Sequence, residues 1–299
     1  MRRMLCVAVI GLVALWNGGV RVSAQKQQQL FISITAPDGK PVTDLKQDEV
    51  TITEDGVDCK TVKLEPIDWP IKLQVLVDNG KATTTPINSM RDGLKAFFEQ
   101  LPDGVETSLY VTAGSPRPIV KAATDRQKLI DAIPLIAPDN GVGSFFDAII
   151  EATGRVDKDK TPHFPVIVMV ASDLGRATGS DRDYQKMQET VLKRAATVHV
   201  IMLAVGGGLT LSGGSAQTEI GLSLTKMTGG RYDNINSVTR LATLLPEIGK
   251  KIADSNAHQS HQFRVTYERP AGSKNPQPRI GASVSREGAA MLSLDGHLP

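Results

Sequence analysis

The chain has 299 residues, of which 40% are hydrophobic and 22% charged, with a formal net charge of +2. It is an ordinary globular composition, long enough for one large core and a smaller module. The near-balanced charge and an aromatic content of only 4% exclude a nucleic-acid partner held through phosphates or stacked bases.

The elements are taken in chain order. Residues 1–24 read as an export signal. Met1-Arg2-Arg3 is a basic start, and the apolar run 4–16 is too short to span a bilayer. Val22-Ser23-Ala24 offers the small residues that predict cleavage after Ala24. The expected location is therefore exported, periplasmic or extracellular, with no membrane span after cleavage. Cys6 lacks the small-residue context of a lipoprotein signal. With the signal removed, Cys59 is the remaining cysteine, so no internal disulfide is expected and Cys59 is read as a small buried residue in a strand.

Residues 25–68 read as a small N-terminal β-module, with strands at 30–35, 50–53 and 62–64 and turns at Pro37-Asp38-Gly39 and Glu54-Asp55-Gly56. Past Trp69-Pro70 the pattern changes. Strands are expected at 71–77, 105–112, 164–170, 198–205 and 231–234, with an edge strand at 118–121. Between and after them come helices at 86–101, 125–133, 145–153, 184–195, 219–227 and 237–254, the last with Ser237 as N-cap. Alternating strands and helices predict a doubly wound, mostly parallel Rossmann-like α/β domain over 69–258. Strands at 263–267, 279–284 and 290–294 follow. This C-terminal segment, 259–299, is expected to pack with 25–68 as one β-module, because neither flank has a sufficient core alone.

In an open parallel sheet, ligands bind beyond the carboxyl ends of the strands. Three loops should meet there. One carries Asp78 in VLVDNGKATTTP (75–86), one carries Gly141-Val142-Gly143-Ser144, and one carries Ser172-Asp173.

Other patterns carry less. Gly206-Gly207-Gly208 follows a strand, but position 211 is Leu where a dinucleotide loop needs its third glycine. His258 and His261 have no cysteine or carboxylate cluster to complete a metal site. Asp181 and Asp183 are read as serving a helix N-terminus. No Gly-x-Ser-x-Gly elbow occurs, and neither His163 nor His199 falls at the ligand edge, so no hydrolase is expected.

The order of β-module, VLVD strand, FFDAI helix, VIVMVASD strand, TGGRY turn, long helix and β-tail resembles the von Willebrand factor type A domain. More narrowly it resembles secreted bacterial proteins of that family with small flanking β-modules. The resemblance implies a metal-ion-dependent adhesion site built from Asp-x-Ser-x-Ser in a first loop, Thr in a second and Asp in a third. Magnesium takes six oxygens in a tight octahedron, and a partner carboxylate can complete the shell. Here Asp78, Asp173 and the α-helical Asp147 match. The serine positions are Gly80 and Ala82, and the threonine position is Gly143 with Ser144 beside it. Lys81 adds a cation to the same loop.

The sequence therefore predicts an exported, non-enzymatic interaction module with a degenerate site at Asp78, Ser144 and Asp173. No cofactor is expected. A protein partner is expected to touch the loop Asn79, Gly80, Lys81 and Thr83. The alternative is a working magnesium-dependent module that binds a partner carboxylate. A Rossmann-like enzyme for a small molecule is the third reading.

Overall fold

The computed structural model describes residues 27–176, 179–205, 216–259, 261–275 and 278–293. The expected signal, Gly206-Gly207-Gly208 and the side chain of His258 lie outside the described residues.

The α/β domain is a six-stranded sheet. Its strands are β4 (Ile71–Val77), β5 (Glu106–Val111), β6 (Arg117–Ala123), β7 (Phe164–Ser172), β8 (Thr197–Leu203) and β9 (Tyr232–Ile235), in the spatial order β6-β5-β4-β7-β8-β9. All neighbours are parallel except β6, which runs antiparallel along the β5 edge. Helices α1 (Ile87–Gln100), α2 (Arg126–Ala132), α3 (Phe145–Lys158), α4 (Asp181–Lys193), α5 (Ala216–Met227) and α6 (Leu241–Gln259) cover it.

Alternation along each strand divides the core between the two faces. Leu73, Val75 and Val77 of β4 and Val166, Val168 and Val170 of β7 join Met90, Leu94 and Phe97 of α1 and Leu245 and Ile248 of α6. Ile167 and Met169 of β7, with Val198 and Val200 of β8, join Phe145 and Ile149 of α3 and Val191 of α4. All nine residues of β7 are buried, as a strand covered on both faces must be.

A second, antiparallel sheet has the order β11-β2-β3-β10-β1-β12. It consists of β1 (Gln27–Thr35), β2 (Val50–Glu54), β3 (Val57–Ile67), β10 (Gln262–Glu268), β11 (Ile280–Val284) and β12 (Ala290–Ser293). Strands from before and after the α/β domain alternate in it. β1 lies between β10 and β12, and β10 lies between β3 and β1. Ile32, Ile34, Ile52, Phe263 and Val265 form its core. Phe31 meets Trp69 and Phe164, with ring centroids 5.7 and 6.2 Å away, and so seats this sheet against the segment leading into β4 and the start of β7.

Some local expectations change. β3 spans Val57–Ile67 rather than 62–64, because Asp55 and Gly56 form a positive-φ turn that leads straight into it. α3 continues to Lys158. α4 begins at Asp181, where Ser180 and Asp183 cap each other's backbone N–H. Ser237 is not an α-helix cap. Its hydroxyl pairs with that of Thr239 at 2.8 Å, and α6 starts at Leu241 after a single tighter turn. Cys59 is partly exposed, and burial raises its thiol pKa.

His199 of β8 is buried, and its Nδ1 accepts the Arg231 backbone N–H at 3.1 Å. Burial, with Lys251 and Arg231 nearby, lowers its pKa to about 3. An unfolded histidine titrates near about 6.5. The unfolded chain therefore takes up this proton first as the pH falls. The contribution is complete above that range and drains by about 1.4 kcal/mol per pH unit below it. By about pH 5 the loss should reach about 2 kcal/mol, and a urea midpoint that is the same there as at neutral pH would contradict it.

Candidate functional site

The carboxyl edge of the parallel sheet brings the three loops together. The Asp78 N–H donates to the Val170 carbonyl at 2.8 Å, which fixes Asp78 one residue past β4, against the end of β7. The Asp173 N–H does the same against Leu203 of β8 at 2.9 Å. The hinge of the cluster is the carboxylate of Asp78, which is only 1% exposed. Its Oδ1 accepts the Gly80 N–H at 2.8 Å. Its Oδ2 accepts the Ser172 hydroxyl at 2.7 Å and the Ser172 N–H at 3.2 Å.

Asn79 ties the loops to one another. Its Nδ2 donates to the Ala137 carbonyl at 2.7 Å, its Oδ1 accepts the Ala113 N–H at 3.2 Å, and its own carbonyl accepts the Asp139 N–H at 2.8 Å. The Thr83 hydroxyl donates to the Gly80 carbonyl at 2.9 Å.

Glycine permits this packing. A Cβ on Gly143 would lie 2.3 Å from Asp78 Oδ2, and one on Gly80 would lie 2.7 Å from the Gly141 carbonyl oxygen and 2.8 Å from the Gly143 nitrogen. The backbone of the second loop thus rests directly on the first aspartate.

Asn79, Gly80 and Thr83 are buried, so they are not offered to a partner; of the four expected contact residues only Lys81 is exposed. Ser144 does not join Asp78. It is fully buried, and its hydroxyl donates to the Gly114 carbonyl at 3.0 Å. Asp173 Oδ1 accepts the Val205 N–H at 3.0 Å. The serine that meets Asp78 is Ser172, the residue before the expected Asp173. The signal was present, because adjacent residues at a strand end face opposite sides and only one of the pair could turn toward β4. Gln217 is a further buried polar side chain outside the expected set. It is buried, its Nε2 has no hydrogen-bond partner, and a Cβ on Gly175 would lie 2.9 Å from that nitrogen.

The structure has many likenesses among solved proteins. A von Willebrand factor type A protein from Catenulispora acidiphila superposes with a TM-score of 0.51 at 10% identity, covering 93% of this chain and 75% of that one. The α/β domain has the von Willebrand factor type A fold. The pilus adhesin SpaC of Lactobacillus rhamnosus GG, in its open conformation, also gives a TM-score of 0.51 at 10% identity, covering 82% of this chain and 47% of that one. No family model and no curated protein matches the sequence.

The von Willebrand factor type A fold implies a metal at this edge, and the donor set does not fit magnesium. Gly80 and Ala82 bring no side-chain oxygen. Gly143 sets backbone against the Asp78 carboxylate where the second-loop ligand would stand. The Asp78 oxygens are already occupied by three donors. An octahedral ion of this size tolerates such a set poorly. Among the described residues, no group of three His, Cys, Asp or Glu side chains converges.

A separate polar cleft of about 170 Å³ lies beside α3, lined among others by Lys72, Glu106, Tyr110, Arg155 and His163. Its charges pair with one another. Lys72 Nζ is 2.8 Å from Asp159, 3.2 Å from Glu106 and 3.1 Å from the Thr161 hydroxyl. The Lys72 ammonium, helped by Thr161, holds the Asp159 carboxyl well below its usual range. Arg155 Nε donates to Gln74 at 2.7 Å, and its guanidinium stacks 3.9 Å over the Tyr110 ring. Ser108 donates to the Leu73 carbonyl at 3.4 Å rather than to a histidine. This is a bracing network between α3 and the first strands.

Proposed function

We propose that this chain is an exported, non-enzymatic protein-interaction module of the von Willebrand factor type A fold, engaging its partner through the carboxyl-edge loops without a metal ion. One observation carries the reading. The Asp78 carboxylate is spent inside the protein on Gly80 and Ser172, with the Gly143 backbone laid across it. A fold of this kind with the carboxylate of its first loop turned inward leaves the loop rim as the surface for recognition. Adhesion is the role named for SpaC, a neighbour of the same fold, which supports interaction by analogy. Among the described residues no helix is long and apolar enough to cross a membrane.

Titration of the full chain with magnesium or manganese is expected to give no saturable heat and no rise in melting temperature. A filled site at one hundred times its Kd would add about 2.7 kcal/mol, which a melting curve resolves easily. Saturable binding that disappears in Asp173→Asn would restore the magnesium-dependent reading.

A further inference from the structure

The polar cleft beside α3 departs from the pattern of the fold. A sheet covered on both faces should be apolar on both. On the α1 side it is, with Leu73, Val75, Leu109 and Val111 in the core. On the α3 side the amino halves of β4 and β5 instead present Lys72, Gln74, Glu106, Ser108 and Tyr110, and apolar packing on β4 resumes only at Leu76. Lys72, Glu106 and Tyr110 are partly exposed, so the cleft opens to solvent. Ala122 of β6 is exposed at its mouth.

Bracing does not use every polar group there. The His163 Nδ1–H donates to the Thr161 carbonyl at 2.7 Å, and burial holds the ring's pKa below its ordinary value, so Nε2 is left as an acceptor. Among the described residues that nitrogen has no hydrogen-bond partner, and neither has the Tyr110 hydroxyl. Glu106 gives one oxygen to Lys72 and keeps the other unbonded. Ser108 makes only its long bond to Leu73. Fixed charge cancels, with Lys72 and Arg155 set against Glu106 and Asp159. A carboxylate or phosphate would meet Glu106 and Asp159, and an ammonium would meet Lys72 and Arg155. The ligand that gains is neutral, with hydroxyls that donate to Glu106 and His163 and pair in either sense with Tyr110 and Ser108. The volume of about 170 Å³ is well below the roughly 300 Å³ at which drug-sized clefts begin, which limits the occupant to one small ring.

We propose that this cleft binds one neutral sugar ring, a free monosaccharide or the terminal unit of a glycan, through Glu106, Ser108, Tyr110 and His163. It lies at the amino half of the sheet, away from the Asp78 loops, and its occupancy is independent of whether that edge holds a metal. A few hydrogen bonds of modest net worth put a single ring in the millimolar range of Kd.

The test is saturation-transfer NMR on the full chain, in EDTA. The probes are the methyl glycosides of glucose, galactose and mannose, N-acetylglucosamine, and acetate, phosphate and ethanolamine as charged comparisons. At least one sugar should bind saturably. Tyr110→Phe removes only an unbonded hydroxyl and should weaken that binding about fivefold. Ala122→Trp changes an exposed residue, fills the mouth and should abolish it, and an unchanged melting temperature verifies the fold of both variants. A glycan array then separates the sources. Capture of glycans ending in that sugar identifies a terminal unit, and silence there identifies the free sugar. Sugar binding indifferent to Ala122→Trp would overturn this site. Saturable binding of acetate, phosphate or ethanolamine alone would overturn the neutral ligand, and no saturable binding of any probe would overturn the cleft as a ligand site.

Discussion

Gly143→Thr is expected to destabilise the protein by about 3 kcal/mol or more, even though it supplies the residue type that the metal-binding pattern has in its second loop. Overpacking a closed site typically costs about 1–3 kcal/mol. Here the new Cβ would stand 2.3 Å from Asp78 Oδ2, so it must also break hydrogen bonds that the carboxylate makes to Gly80 and Ser172. Leaving those buried donors unpaired costs about 1–3 kcal/mol further. The urea midpoint should drop with little change in slope. Gly154→Ala is the control, since nothing lies within 4 Å of the position of its Cβ on α3. It should be neutral or slightly stabilising, because alanine is the better helix former. Wild-type stability in Gly143→Thr would mean that the loops are not closed over Asp78.

Glu54→Ala should cost about 3–5 kcal/mol, the usual penalty for removing one partner of a buried ion pair. Glu54 is 2% exposed at the end of β2. It accepts from Arg269 Nε at 2.8 Å, from the Tyr267 hydroxyl at 3.2 Å and from Ser273 at 3.3 Å. Burial and the adjacent Glu54 charge push the Tyr267 phenol well above its ordinary pKa, so the hydroxyl stays a donor. The alanine variant takes the counter-charge from the Arg269 guanidinium, which keeps the Ser273 hydroxyl and the Asn275 carbonyl as partners. Glu54→Leu with Arg269→Met should recover much of the loss, since an apolar replacement of both partners removes the uncompensated charge. Amide exchange should quicken in β2, β3 and β10 while β4 and β7 stay protected; uniform loosening of both sheets would show that the pair does more than brace the antiparallel one.

The parallel sheet was legible because its signal is strong and local. The run 164–170 can be satisfied only by a strand covered on both faces, and Met90, Leu94 and Phe97 repeat at helical spacing against it. The first half of β3 is hard to read because residues 57–61 carry little apolar alternation; pairing to β2 and β10, rather than burial of its side chains, holds it in the sheet. The site was legible to the level of loops. Asp78 and Asp173 fall at the carboxyl edge because strand ends put them there. Ser172 rather than Asp173 meets Asp78 because only one of two adjacent residues at the end of β7 can turn toward β4. Likewise, Asn79 and Thr83 are expected to touch a partner as part of the first loop. Their side chains are consumed by backbone groups of neighbouring loops, a use that only the assembled edge reveals.

The interleaved antiparallel sheet has a consequence for chain entropy. Ile67 and Gln262 are paired neighbours in β3 and β10 although roughly 200 residues separate them. Bringing the ends of so long a flexible segment together would cost about 5 kcal/mol. The inserted α/β domain removes that cost, because once folded it delivers its own two ends side by side. It thereby serves as the clasp of the smaller sheet, and a lesion that loosens the larger domain should be felt in strands it never touches.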